Sequence, residues 1–345
     1  MIYFTSDYCE GCHPRILERM QTTNFDQNPG YGTDDHCAKA AAYIRRECGR
    51  EDVDVHFLVG GTQTNLTVID AALRPHQGVV SAESGHIQTH ETGAVEACGH
   101  KILTLPTSDG KITAKQIRDL WEGHCGDANK EHTSKPGMVY ISNPTEFGTL
   151  YNKAELTEIS IACRENGIYL FMDGARLGYG LATPGNDLTM ADLAQLCDVF
   201  YIGGTKVGAL FGEALVISHP DLKEDFRYMI KQHGGMLAKG WLLGIQFETL
   251  FEDGLYFQIT SHALKLADQM RNTFTECGFD FYVDSPTNQL FPILPDALLD
   301  KLAQKYVYTY QCRVDENHSA VRFCTSWATK PESVNAFCAD LKALV

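Results

Sequence analysis

No apolar run among the 345 residues reaches the roughly 18 that a membrane span requires. The opening MIYFTSDYCEGCHPRI has neither a basic flank nor a long apolar stretch, so no secretory leader is expected and a cytoplasmic location is. Internal repeats and low-complexity tracts are absent, and runs of like charge are short, so nothing marks a solenoid or a disordered tail. Basic residues are few: 29 lysines and arginines against 44 acidic side chains give a formal net charge of −15. A surface this acidic repels a phosphate backbone and disfavours general nucleic-acid binding. It leaves room for a small phosphorylated ligand, which needs only a local ring of donors. The dinucleotide fingerprint G-x-G-x-x-G is also missing.

What remains is an ordinary globular composition, 44% hydrophobic and 21% charged, long enough for two domains at about 100–200 residues each. The 12 cysteines are scattered, and Cys37, Cys48, Cys98, Cys163, Cys197, Cys277, Cys312, Cys324 and Cys338 mostly sit in apolar settings where cysteine packs as a small hydrophobe. Without a leader, a disulfide framework is not expected. Cys9-Glu-Gly-Cys12-His13 matches the c-type haem attachment pattern; the other reading is a loop entering a helix that starts near Pro14.

Short apolar runs alternate with amphipathic stretches, the pattern of an α/β domain with a mostly parallel sheet. Strands are expected at 54–59, 78–82, 101–105, 137–142, 169–172 and 199–202, with helices at 64–73, 115–121 and 154–166. From 222 to 254 a helical region breaks near His233-Gly234-Gly235. Beyond it, a helix at 261–277, strands at 279–283, 289–293, 305–312 and 320–324, and a last helix at 331–344 make a smaller α+β unit. The boundary falls near residue 250, dividing the chain into 1–250 and 251–345.

Two strand ends carry the chemistry. Leu170-Phe-Met-Asp173 puts a carboxylate at the carboxyl edge of the sheet, where open α/β sheets bind ligands. Val199-Phe-Tyr-Ile-Gly-Gly-Thr205-Lys206 ends a buried strand in a lysine with no acid nearby in sequence. Such a lysine is either an exposed loop residue or one held for a covalent imine with a carbonyl cofactor. Gly60-Gly61-Thr62 follows a strand and opens a helix, an ordinary tight turn or a phosphate cradle of free amides. His86, just after another strand, is either structural or a flat imidazole that could stack on a ring and move a proton.

In this order and spacing, these pieces resemble the threonine aldolase / β-eliminating lyase family of pyridoxal-phosphate enzymes, low-specificity L-threonine aldolases above all. The likeness runs over nearly the whole chain, through Phe4-Thr-Ser6-Asp7, Glu83-Ser-Gly-His86, FMDGARLGYGLA from Phe171, GGTKVGALFGEALV from Gly203 and VRFCTSWAT from Val321. It implies the aspartate-aminotransferase fold (type I), with a large, mostly parallel seven-stranded-sheet domain and a small C-terminal α+β domain. It also implies pyridoxal 5'-phosphate bound to Lys206, with Asp173 on the pyridine nitrogen, His86 stacked on the ring, and Gly60, Gly61, Thr62 and Thr205 around the cofactor. Arg176 would hold the ring or the substrate carboxylate, and Ser6 and Arg322 would clamp that carboxylate. The implied reaction is cleavage of L-threonine, or a related β-hydroxy amino acid, to glycine and an aldehyde, with His86 as candidate base. A β-eliminating lyase, an aminotransferase or a catalytically silent cofactor binder would reuse the same residues. No metal ligand set is assigned. The implied assembly is a homodimer or homotetramer with shared active sites.

The chain departs from the family pattern in two places. Ser142-Asn-Pro-Thr-Glu146 stands where many relatives carry Glu-Asn-Thr-His-Asn, and His233-Gly-Gly-Met-Leu237 stands where they carry Gly-Gly-Gly-Met-Arg. Leu237 cannot supply the arginine's charge to a neighbouring subunit's phosphate; Lys239 is the candidate substitute.

Overall fold

Strands that are apolar on both faces need a layer on each side, and the amphipathic helices between them supply it. The computed structural model describes residues 1–345. A short strand, β1 (Ile2–Tyr3), comes first. The central sheet follows: β2 (Asp54–Leu58), β3 (Gln77–Ala82), β4 (Lys101–Leu105), β5 (Lys135–Ser142), β6 (Tyr169–Asp173), β7 (Val199–Gly203) and β8 (Glu213–Ile217). Its order is β2-β8-β7-β6-β5-β3-β4. Only β8 runs against the rest, antiparallel to both β2 and β7.

Apolar runs in the sequence point to the other six strands. β8 escapes that reading because it is five residues long, opens on a glutamate and follows a glycine-rich loop. Side chains alternate across the sheet with period two. Met138, Tyr140, Phe171, Tyr201 and Leu215 pack on one face, while Val139, Ile141, Met172, Ile202 and Val216 enter the core on the other. Helix starts are fixed locally by reciprocal capping boxes at Thr113/Gln116, Asn152/Glu155 and Thr189/Asp192, an N-cap of this kind contributing about 1 kcal/mol. The expected break near His233 is present: helix Phe226–Gln232 stops there, Gly234 is left-handed at φ +74°, and helix Trp241–Glu252 follows.

Helix Leu255–Glu276 begins six residues before the expected start, directly after the left-handed Gly254. Its first half, with Tyr256 and Ala263, belongs to the main core, and its second half, with Met270 and Phe274, to a separate aromatic core. In that second core Phe337 meets Phe4 edge-on at 5.6 Å and Phe274 at 5.5 Å. The strands here are β9 (Gln289–Leu290), β10 (Ile293–Pro295), β11 (Tyr306–Val307), β12 (Thr309–Arg313) and β13 (His318–Cys324). The strand expected at 279–283 is reduced to one bridge, Phe281 to Pro292. Pro292 has no amide hydrogen to extend a ladder, and it also divides the expected 289–293 strand into β9 and β10. β1 pairs in parallel with β11, which ties the start of the chain to this aromatic core and lays Thr5–Tyr8 beside the central sheet.

The Cys9–Cys12–His13 motif is absorbed by folding. Cys12 is buried in the main core, and His13 Nδ1 accepts the Arg15 amide at 3.4 Å to cap helix Pro14–Thr22. A core thiol and a capping imidazole are not free to hold a haem, so the haem-attachment reading falls.

Candidate active site

The carboxyl ends of β5, β6 and β7 and the loops after β2 and β3 converge on one cavity of about 340 Å³. This is the edge at which a parallel sheet offers its ligands. Gly60, Gly61, Thr62, His86, Asp173, Arg176, Thr205 and Lys206 all line it. Two glycines let the strand ends close on each other. A Cβ on Gly174 would sit 1.9 Å from the Tyr201 carbonyl oxygen, and one on Gly203 would sit 2.1 Å from that of Ala175.

Asp173 ends β6 with its carboxylate buried under the cavity. Tyr140 Oη donates to its Oδ2 at 2.5 Å, Asn65 Nδ2 donates at 3.2 Å, and the Ala175 amide donates to Oδ1 at 2.9 Å. Burial alone would raise its pKa, but the His86 charge and the Tyr140 and Tyr201 hydroxyls more than reverse that, leaving it below the usual carboxylate range. Lys206 lies beyond the end of β7 in a loop held by Tyr179 Oη on its carbonyl at 2.8 Å and by Glu213 Oε2 on the Gly204 amide at 3.0 Å. Its ammonium forms none of the ion pairs of the chain. Burial, with Arg176 adding to it, lowers the lysine's pKa against the pull of Asp7, Asp173 and Glu213. Glu213, at the head of β8, is pushed up to about 7 by burial, with Lys206 opposing.

His86 is fixed from two sides. Its Nδ1 lies 2.8 Å from Glu91 Oε1, and its backbone amide donates to Glu146 Oε1 at 2.9 Å. Glu146 also accepts the Ser142 hydroxyl at 2.7 Å, so the Ser142–Glu146 stretch that departs from the family pattern serves to seat the histidine. Burial depresses the imidazole, but Glu91 and Asp173 outweigh it and the pKa is raised. Asn65 Nδ2 reaches Glu91 Oε1 at 2.8 Å as well as Asp173, joining histidine and aspartate in one buried network.

Arg176 grips Asp7 with two bonds, Nε to Oδ2 at 2.7 Å and Nη2 to Oδ1 at 3.0 Å. Asp7 also receives Asn288 Nδ2 at 3.0 Å. This arginine is thus largely committed to joining the start of the chain to the sheet. Arg322, on β13, donates to the Thr5 carbonyl at 3.0 Å and to Gln289 Oε1 at 3.3 Å, while its buried Nε has no partner. Neither Arg322 nor Ser6 lines the cavity itself, and the Ser6 hydroxyl lies 3.2 Å from Cys9 Sγ. After burial and His86, the charges of Arg322 and Lys206 also lower the pKa of His90. Lys239 is exposed and away from this lining.

Of the residues that shape the site, Asn65, Glu91 and Tyr140 carry no motif of their own. Asp7, Glu146, Tyr201 and Glu213 stand inside quoted stretches without an assigned role. Tyr140 and Tyr201 share the face of Phe171, a period-two signal that could have marked them.

The donor set fits pyridoxal phosphate. A lysine without an ionic partner and a buried, ionised aspartate face one cavity. Helix Gly61–Ala72 brings unbonded first-turn amides to the same cavity with no side-chain cap, and nothing lies within 4 Å of where a Cβ on Gly60 would be. Fold and site together define a pyridoxal-phosphate enzyme of the aspartate-aminotransferase-like fold, type I. Residues 4–282 match the family model described as beta-eliminating lyase, and the chain belongs to that family. It is 31% identical to a low specificity L-threonine aldolase of a Pseudomonas species, over 99% of this chain and 97% of that protein. It is 30% identical to one of Pseudomonas aeruginosa, again over 99% of this chain and 97% of that protein. A threonine aldolase structure from Leishmania major superposes with a TM-score of 0.97 at 46% identity, covering 100% of this chain and 99% of that one. An aspartate aminotransferase of Thermus thermophilus shares the fold with a TM-score of 0.74 at 13% identity, over 100% of this chain and 92% of the other.

Proposed function

We propose that the chain cleaves the α–β carbon bond of L-threonine, or a related β-hydroxy-α-amino acid, to glycine and an aldehyde. The carrying observation is His86, seated by Glu91 and Glu146 beside Lys206 and Asp173. Retro-aldol cleavage requires a base for the β-hydroxyl proton, and this imidazole keeps Nε2 free while Nδ1 is engaged. Glu91 favours the protonated ring and so strengthens it as an acceptor. Burial, with Arg176, lowers the pKa of Lys206 and so favours its role as a nucleophile towards a carbonyl. Asp173 stays ionised and can hold a proton on a ring nitrogen. Bound pyridoxal phosphate would supply the electron sink for the charge left on the α-carbon. The amides of Gly61 and Thr62 would receive its phosphate. By the family resemblance Arg322 and Ser6, which lie outside the cavity lining here, would take the substrate carboxylate and so decide which bond stands perpendicular to the ring.

No helix is long and apolar enough to cross a membrane. All 12 cysteines are free, which suits a reducing, cytoplasmic setting. A homodimer or homotetramer with shared active sites, in which the exposed Lys239 would reach a neighbouring copy's site, is part of this proposal. Product analysis after incubation with L-threonine tests the reaction. Glycine and acetaldehyde in equal amounts are expected. Ammonia with 2-oxobutanoate would indicate β-elimination, and dependence on an added keto acid would indicate amino transfer.

A further inference from the structure

Three helix ends meet on the side of the central sheet that carries helix Gly61–Ala72. Asp70 lies in the last turn of that helix, Cys98 follows helix Ala94–Ala97, and His233 caps helix Phe226–Gln232. One ligand atom from each of Asp70, Cys98 and His233 lies within 4.8 Å of the other two, and all three side chains are half-buried. His233 Nε2 faces Asp70 Oδ2 at 2.8 Å. The other carboxylate oxygen, Oδ1, faces the buried His100 Nε2 at 3.4 Å. His100 Nδ1 in turn lies 3.4 Å from the Gln77 carbonyl. None of these residues has a part in the proposed chemistry, and none lines the active-site cavity.

We propose that Asp70, Cys98 and His233 bind a divalent transition-metal ion of the zinc class. The donor chemistry selects the ion. One thiolate, one imidazole and one carboxylate suit zinc or cobalt, whereas calcium and magnesium need shells of oxygen that this cluster does not have. Two anionic donors balance a dication, and a water completes four ligands. His100, on the second carboxylate oxygen, orients the aspartate in the way outer partners of metal carboxylates do. The ion replaces the direct His233–Asp70 contact, pulls in Cys98 and releases its thiol proton. Its consequence reaches the cradle along a short path. Gln63 donates to the His233 carbonyl at 3.0 Å and accepts the Val59 amide at 3.2 Å, at the turn that precedes Gly60. A bound ion therefore ties the His233-Gly234-Gly235 loop to the helix whose first turn forms the cradle.

The test is cobalt titration of the chelator-treated holoenzyme, read by the ligand-field bands that lie to the red of the cofactor, with zinc added afterwards to displace the cobalt. One equivalent per chain with tetrahedral ligand-field intensity is expected. Cys98→Ala and His233→Ala, each checked by circular dichroism and cofactor loading, should weaken binding at least 100-fold. Cys9→Ser, at the separate Cys9–Cys12–His13 cluster, should leave it unchanged. Protection of Cys98 from alkylation by zinc, read by mass spectrometry on the wild-type holoenzyme, should accompany binding. Absence of the bands, retention of them in folded Cys98→Ala, or their loss in Cys9→Ser would overturn the assignment. These readouts are independent of amino-acid turnover.

Discussion

Replacing Glu91 by glutamine isolates the contribution of one charge to the proposed base. The side chains have the same length, so contacts to Asn65 and His86 can persist, but the acceptor facing His86 Nδ1 at 2.8 Å loses its charge. A hydrogen bond to a charged group contributes about 1.5–3 kcal/mol. In the proposed reaction His86 gains its proton as the α–β bond breaks, so this stabilisation would belong to the transition state. With about 1.36 kcal/mol for each tenfold, kcat should fall ~10- to 150-fold. KM for L-threonine should stay nearly constant if, as proposed, the substrate carboxylate is held away from Glu91. The pH profile gives a second, signed check. The base acts unprotonated, and after burial lowers its pKa, Glu91 and Asp173 raise it above the ordinary value. The acid limb of kcat/KM should therefore move to lower pH in Glu91→Gln. Continuous measurement of aldehyde release across pH reads both effects. A kcat within twofold of wild type with an unmoved limb would refute the role of His86 as base.

Three further outcomes follow from the same geometry. Lys206→Ala should keep its circular dichroism and lose the near-visible band of the bound cofactor; a retained, borohydride-sensitive band would place the attachment elsewhere. Arg322→Ala should raise KM for the amino acid at least tenfold with the cofactor still loaded, and normal turnover at low substrate would remove it from carboxylate binding. Asp7→Ala leaves the buried Arg176 guanidinium unpaired, so urea unfolding should show a loss of about 3–5 kcal/mol. Burial raises the Asp7 carboxyl, yet Arg176 and Lys206 hold it below the usual range. Its contribution is thus present above the unfolded pKa of about 3.9 and lost as pH falls through the lower folded value. Thermal unfolding of the variant should lack that part of the acid sensitivity.

The pieces that could be read from sequence are those whose chemistry coincides with an element boundary. Asp173 and Lys206 announce themselves because an acid and a lysine stand where apolar strands end, and Gly60–Thr62 because a glycine turn opens a helix. Glu91 and Asn65 give no such signal. One follows a four-residue helix and the other lies mid-helix, and only the fold brings them together between His86 and Asp173. Arg176 illustrates the opposite limit. Its residue type suits an anion, but its two bonds go to Asp7, a partner 169 positions away that pairing of β1 with β11 carries to the sheet. β8 was hidden because a short strand headed by glutamate resembles a loop, although burial of that glutamate beside Lys206 is part of the site.

The most direct measurement is borohydride reduction of the holoenzyme, paired with an aldehyde assay on an unreduced portion given L-threonine. Expected are a bleached near-visible band, the cofactor mass on the peptide containing Lys206, and one aldehyde per glycine formed. No band at saturating pyridoxal phosphate, or a label on another lysine, would contradict the assignment of this cavity.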